Sequence, residues 1–193
     1  VTDLAGVAAL RGRHNGENAC AAYGALRLAG LRDNEIVPHM LTYPGLAHRL
    51  EQIGRLGSTL FINDSKATNA ESTEKALATW PRGIHIILGG KAKDGGIDTL
   101  RPYFPRIAKA YLIGAATEAF AATLGVDVPY ESCGTMDVAV ARATDDAIAS
   151  GAEDSVVLLS PACASYDQYK NFEERGEHFR RLVAEEIALR TGS

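Results

Sequence analysis

Four short apolar runs constrain the fold of this chain more than anything else in it. They are Thr59-Leu60-Phe61-Ile62, Ile84-His85-Ile86-Ile87-Leu88, Ala110-Tyr111-Leu112-Ile113 and Val156-Val157-Leu158-Leu159. None keeps the strict apolar–polar alternation of a half-wet strand, so each reads as a strand covered on both faces. Helical patterns separate them: Glu71 to Trp80 with Ala76, Leu77 and Trp80 on one face, Thr117 to Leu124, and Met136 to Ala149. Thr135 stands as N-cap of the last of these and Gly151 as its stop. A final helix, about Phe172 to Arg190, buries Phe179, Leu182, Val183 and Ile187. Strands alternating with helices of this length predict an α/β fold, a doubly wound, mainly parallel, Rossmann-like sheet with helices on both faces.

Upstream the rhythm differs. Ala19, Ala22, Tyr23, Leu26 and Ala29 recur at helical spacing from Asn15 to Leu31, with Gly30 where a C-terminal stop belongs. A second short helix fits Glu35 to Leu41. The Pro44-Gly45 pair that follows is a strong punctuator, and it predicts a boundary between residues 1–44 and 45–193. About 40 residues rarely build a stable core alone, so the first segment should stay mobile, self-associate weakly through its apolar face, or fold that face onto residues 45–193 by bending at Pro44-Gly45.

Composition narrows the function classes. The 193 residues are 46% apolar and 23% charged, the balance of a soluble globular protein. A net charge of −4 excludes a nucleic-acid binder working through a broad basic face. No apolar run reaches the roughly 18 residues needed to span a bilayer, and Val1-Thr2-Asp3-Leu4 opens no secretory signal. No initiator Met is present, which suggests a processed or excised piece. Cys20, Cys133 and Cys163 are odd in number and widely spaced, and the five histidines are scattered, so the expectation is a reduced, cytoplasmic protein without a metal site.

In open α/β sheets, ligands bind beyond the carboxyl ends of the strands. Three loops there are unusual. Asn63-Asp64-Ser65-Lys66-Ala67-Thr68-Asn69 ends at a helix N-terminus, where backbone N–H groups and the helix dipole favour an anion. Lys66 adds a charge, and Asp64 could accept two ribose hydroxyls; the alternative is that Thr68 or Asn69 simply caps the helix and Asp64 closes a turn. Gly89-Gly90-Lys91-Ala92-Lys93-Asp94-Gly95-Gly96 lets backbone approach a ligand, or is simply a solvated loop; it is no phosphate loop, because G-x-x-x-x-G-K-[ST] is absent. Ser160 to Phe172 runs from small to polar residues before a long helix, with Cys163 reading as a packed, inert thiol. Upstream, Asn15 and Asn18 share a helix face, where they read by themselves as an N-cap and a solvated asparagine, and Arg49 is either a phosphate fork or the partner of a surface carboxylate.

Taken in order, HNGENACAA, PGLAHRLE, FINDSKATNAEST, ILGGKAK and LLSPACASYDQYKNFEERGEHF resemble the C-terminal half of the Mur ligases, over essentially the whole chain. The DSKATN and SPACAS-x-DQ-x-KNFE-x-RG strings match the D-glutamate-adding branch. The resemblance implies an ATP- and Mg2+-dependent reaction. The carboxylate of UDP-N-acetylmuramoyl-L-alanine is phosphorylated, the amine of D-glutamate attacks the acyl phosphate, and the amide, ADP and phosphate result.

Carried over by position, the resemblance places Asn15 and Asn18 near adenine, Arg49 on phosphates and ribose, Asp64 on ribose hydroxyls and Lys66 beside the reacting groups. Thr68, Lys93, Ser165, Tyr166 and Phe172 would hold D-glutamate, the last two through backbone. Where the family has an acidic or neutral residue after the paired glycines, this chain has Lys91; spacing favours Lys93 as the ligand-facing lysine. The Gly-rich ATP loop and the magnesium ligands would lie outside this sequence, residues 1–44 would be the tail of a central ATP-binding domain, and the piece alone would be inactive. The competing class is a stand-alone, non-catalytic nucleotide- or amino-acid-binding module.

Overall fold

A computed structural model describes residues 3–4, 6–10, 12–92 and 95–192. It divides into two compact units, Val1–Leu46 and Ala47–Ser193.

In the first unit, helix α1 (Arg13–Leu28) is followed by α2 (Asp33–Leu41). The end of α1 is a Schellman turn. Gly30, at φ 94°, gives its N–H to Arg27 O, and Leu31 N–H reaches Leu26 O, so the orphan carbonyls are satisfied. Tyr23 of α1 donates to Asp33 of α2 at 2.8 Å. Among the described residues of this unit only Ala19 and Ile36 are buried apolar side chains, while Leu28 is 92% exposed. The expected apolar face is therefore smaller than its spacing implies, because Ala19 is already covered.

The second unit bears out the doubly wound sheet. Strands β1 (Glu51–Leu56), β2 (Thr59–Asn63), β3 (Ile84–Gly89), β4 (Ile107–Ile113), β5 (Tyr130–Gly134) and β6 (Val156–Leu159) lie in the order β1-β2-β6-β3-β4-β5. Only β1 is antiparallel; it pairs with β2 across a two-residue turn at Gly57-Ser58 and a bulge between Gln52 and Gly54. The other four pairings are parallel.

Successive residues of the central strands point to opposite faces. Ile84, Ile86, Leu88, Ala110, Leu112, Val156 and Leu158 meet helices α3 (Ala70–Leu77) and α4 (Thr117–Leu124) on one side. A 3-10 run at Asp98–Arg106 joins that layer through Leu100 and Phe104. Phe61, Ile87, Tyr111, Ile113, Val157 and Leu159 meet α5 (Met136–Ala149) and α6 (Phe172–Thr191) on the other.

Two edge strands, β1 and β5, carry no apolar run and are not visible in the sequence pattern. Glu51, Gln52, Gly54 and Arg55 make β1 half polar, and β5 alternates exposed with half-buried residues because only one side of it is paired. Helix α3 also ends at Leu77, three residues before the expected Trp80. Thr135 stands at the N-cap of α5 without a side-chain capping bond, whereas Asn69 and Asn171 cap α3 and α6 through theirs. No described helix is long and apolar enough to cross a membrane.

Candidate functional site

The loop from β6 to α6 runs along the carboxyl edge of the sheet and is tied to the loop of each parallel neighbour. Ser160 Oγ donates to Asp64 Oδ2 after β2, at 2.8 Å. Ala164 and Lys91 exchange backbone hydrogen bonds after β3 (2.9 and 3.1 Å). Asp167 Oδ2 accepts Ala115 N–H after β4, at 2.9 Å, and Gln168 Nε2 donates to Gly134 O at the end of β5, at 2.8 Å. Of the glycines expected to admit a ligand, Gly90 admits this loop instead, Gly89 backs onto Ile113 of β4, and a Cβ on Gly95 or Gly96 would meet nothing within 4 Å. Gly114, outside that expectation, also admits the loop. A Cβ on Gly90 would stand 2.5 Å from Ala164 O, and one on Gly114 would overlap the Asp167 carboxylate.

Arg175, from the first turn of α6, is the buried pin of the assembly, 1% exposed. Its Nε donates to Ser65 Oγ (3.0 Å), Nη2 to Ser65 O (2.8 Å) and Nη1 to Cys163 O (3.0 Å). Ser65 Oγ in turn donates to Phe172 O at 2.8 Å. Burial lowers the guanidinium to about 10, which still leaves it charged at neutral pH. The same burial pushes the Cys163 thiol up to about 12, so it is no nucleophile.

Beside this pin, the turn before β1 is strained. His48 and Leu50 have φ of 63° and 44°, a region that costs L-residues of order 1–3 kcal/mol each. Contacts on all sides hold it. Glu51 Oε2 accepts His48 N–H (3.1 Å), Asp64 Oδ1 accepts Leu50 N–H (3.2 Å), and His48 O accepts Lys66 N–H (3.0 Å). The His48 ring is buried, 3.0 Å from Asn63 Nδ2, and a Cβ on Gly176 would overlap it. Between the two strained residues Arg49 stands exposed.

The other residues singled out in the sequence fall as follows. Asp64 is buried with one bond at each oxygen; desolvation raises its carboxyl to about 7, against the pull of Ser160, the Leu50 amide and Arg49. Lys66 is half-buried with its ammonium 4.0 Å from the centre of the Phe172 ring, a cation–π contact. Thr68 is half-buried, Ser165 buried and Tyr166 71% exposed. Lys93 lies outside the described residues; Lys91 lies inside them with its side chain exposed. Asn15 and Asn18 belong to the first unit, half-buried and exposed on α1.

Lys66, Thr68, Arg49, Asp64, Ser165 and Phe172 thus share the loops at one sheet edge. Arg175, Ser65, Ser160 and Asp167 carry no role that the sequence pattern assigns, although all four stand inside the quoted strings. No local pattern marks an arginine as buried, because its partners Ser65 and Cys163 lie 110 and 12 residues away.

Among the described residues no three or more His, Cys, Asp or Glu are grouped so as to hold a metal ion. The edge offers cations, helix N-termini and backbone donors, which is the equipment of an anion- and nucleotide-facing surface.

Family comparison agrees with that class. The model for the Mur ligase, glutamate ligase domain, matches residues 48–163, and this chain belongs to the Mur ligase family. At finer grain it is 55% identical over 183 residues to the UDP-N-acetylmuramoylalanine–D-glutamate ligase of Brucella abortus (strain 2308), and 56% over 184 residues to that of Mesorhizobium japonicum. Each alignment takes in 95% of this chain, and the chain spans only 39% of the length of these relatives.

Among solved structures, MurF from Acinetobacter baumannii shares the fold with a TM-score of 0.65 at 20% identity, over 91% of this chain and 38% of that one. The UDP-N-acetylmuramate-alanine ligase MurC from Thermotoga maritima does so with 0.64 at 12%, over 91% and 39%. At such identities the likeness concerns the fold alone.

Proposed function

We propose that this chain is the C-terminal part of an ATP-dependent ligase that joins D-glutamate to UDP-N-acetylmuramoyl-L-alanine, with residues 45–193 as its amino-acid- and nucleotide-facing domain. Residues 1–44 are read as the tail of a central ATP-binding domain. The observation that carries this reading is the identity above 50% to ligases of that name along nearly the whole chain. In the reaction, the γ-phosphoryl group passes from ATP to the acceptor carboxylate and ADP departs. The amine of D-glutamate attacks the acyl carbon, and the tetrahedral adduct collapses by expelling phosphate.

Each residue has a task that follows from its chemistry. Arg49 faces the phosphates and ribose, and Asp64 offers its remaining lone pairs to the ribose hydroxyls. Asn15 and Asn18 lie near adenine. The Lys66 ammonium, steadied by the Phe172 ring, stabilises the negative charge that develops at the acyl centre. Thr68, Lys93, Ser165 and the backbone at Tyr166 and Phe172 hold the two carboxylates of D-glutamate. Mg2+ supplies charge neutralisation on the transferring phosphates, with ligands and the Gly-rich phosphate loop from parts of the ligase outside this sequence.

Kinetics of a full-length ligase carrying this half test the assignment. Lys93→Ala should raise the KM for D-glutamate far more than that for ATP, and Lys91→Ala should do much less. The reverse order would overturn the loop register. Asp64→Ala should raise the KM for ATP, and an unchanged value would remove its ribose role. The chain by itself should release no phosphate from ATP beyond a heat-killed control.

A further inference from the structure

The strained turn that presents Arg49 is gripped from α6 by a side chain with no place in the proposed chemistry. Arg180, in the third turn of α6, puts Nη2 at 2.9 Å from both oxygens of Glu51 and Nε at 3.3 Å from Glu177 Oε2. Both of those carboxylates grip His48. Glu51 accepts its backbone N–H at 3.1 Å, and Glu177 Oε1 stands 3.6 Å from its ring Nε2. Glu51 also accepts from Asn63 Nδ2 at 3.3 Å, the same amide that meets the other His48 ring nitrogen.

We propose that Arg180 is a positioning residue for Arg49: by bridging Glu51 and Glu177 it keeps His48 in the left-handed region, and so aims the arginine that follows at nucleotide phosphates. This rests on the reading of Arg49 as phosphate-facing.

Three features carry the argument. First, positive φ at two non-glycine positions in three residues is strain that the surroundings must over-determine. Second, the contacts to the His48 amide and ring converge on Glu51, whose side chain is 22% exposed and is the acceptor for backbone, amide and guanidinium at once, whereas Leu50 N–H is held separately by Asp64. An exposed ion pair between two long side chains contributes little. This one instead sets the orientation of an acceptor on which a strained backbone depends. Third, α6 brings Gly176, Glu177 and Arg180 onto the turn together, since residues three and four apart share a helix face. Gly176 leaves room for the His48 ring, Glu177 meets its edge, and Arg180 reaches past it to Glu51. Without the bridge, His48 relaxes towards negative φ, and the Arg49 side chain swings with the backbone that follows it.

The test uses the 193-residue chain with ADP as probe at low ionic strength, followed by NMR on isotopically labelled protein. In Arg180→Met the backbone coupling of His48 should lose its positive-φ signature, while that of Leu50, held by Asp64, should keep it. ADP affinity should fall roughly fivefold, about the effect of one weakened charged contact. Arg180→Lys should restore part of both, since an ammonium reaches one Glu51 oxygen but not the fork. Arg181→Met, one residue on and paired at 3.7 Å with Glu185, removes the same charge and should change neither.

Unaltered couplings and affinity in Arg180→Met overturn the proposal while leaving the Arg49 assignment intact. An equal loss in Arg181→Met overturns it as a mere net-charge effect. If Arg49→Met binds ADP as the parent chain does, the Arg49 assignment itself falls, and this proposal with it. Should Arg180→Met fail to fold, the Lys variant decides, because wild-type couplings and affinity in a chain that has lost the fork overturn the idea equally.

Discussion

Arg175 illustrates how much one residue can hold. Its guanidinium is enclosed, and each of its three bonds ends on an oxygen with little access to water. Arg175→Met should therefore destabilise the chain by about 3 kcal/mol or more, since two carbonyls and a hydroxyl lose a charged donor. Denaturant unfolding measures this, and a loss below about 1 kcal/mol would mean that water replaces the arginine. Asp64 has a pH signature. Its folded carboxyl titrates at about 7 against an ordinary 3.8, chiefly through desolvation. Between those values the folded state binds a proton that the unfolded state has released. Its contribution to stability is thus complete below the lower value and is lost as pH rises through the higher one. Buried His85, held below its ordinary range by desolvation, runs the other way and weakens the fold as pH falls below 6.5. The difference between Asp64→Asn and wild type isolates the aspartate: the variant should gain relative stability from pH 5 to 8. A constant difference would show a normally titrating carboxyl.

At the scale of elements, the contact between α6 and the turn before β1 depends on a missing side chain. Gly176 lies inside a helix, where glycine is otherwise unfavourable, because the His48 ring occupies the space of a Cβ. Gly176→Ala improves helix propensity, yet it should cost about 1–3 kcal/mol through overpacking and loosen the Arg49 turn. Thermal unfolding of the variant measures the first effect and the His48 amide shift the second; a raised Tm would show that the turn yields without cost. The central strands were legible because a run covered on both faces is apolar whatever its partners. The edge strands were not. The pairing of β1 with β2 and of β5 with β4 depends on neighbours far along the chain, and one-sided pairing leaves polar residues in both.

For the whole molecule, the two units differ in what they bury. The Ala47–Ser193 unit encloses two apolar layers against one sheet, whereas the described residues of the first unit bury only Ala19 and Ile36 as apolar side chains. Amides of α1 should accordingly exchange with opening free energies several kcal/mol below those of β3 and β6. Uniform protection from Asn15 through Leu189 would show that α1 has a stable place of its own. Leu26, Leu28, Leu41 and Tyr43 remain exposed, so apparent mass should rise with concentration through this segment. Sedimentation at several loadings checks it, and a constant monomeric mass would rule the association out.

The sequence by itself determined the four buried strands, the helices between them and the loops that gather at one sheet edge. Periodicity is a property of neighbours in the chain, and strings such as DSKATN keep their order and spacing however the chain bends. Only the tertiary structure decided that Arg175 is buried, that Asp64 titrates near neutrality and that Arg49 stands between two strained residues. Ser65 meets Arg175 across 110 positions, Asp64 meets Ser160 across 96, and Glu51 meets Arg180 across 129. The solvation and charge of each group are set by atoms that no local window of the chain contains.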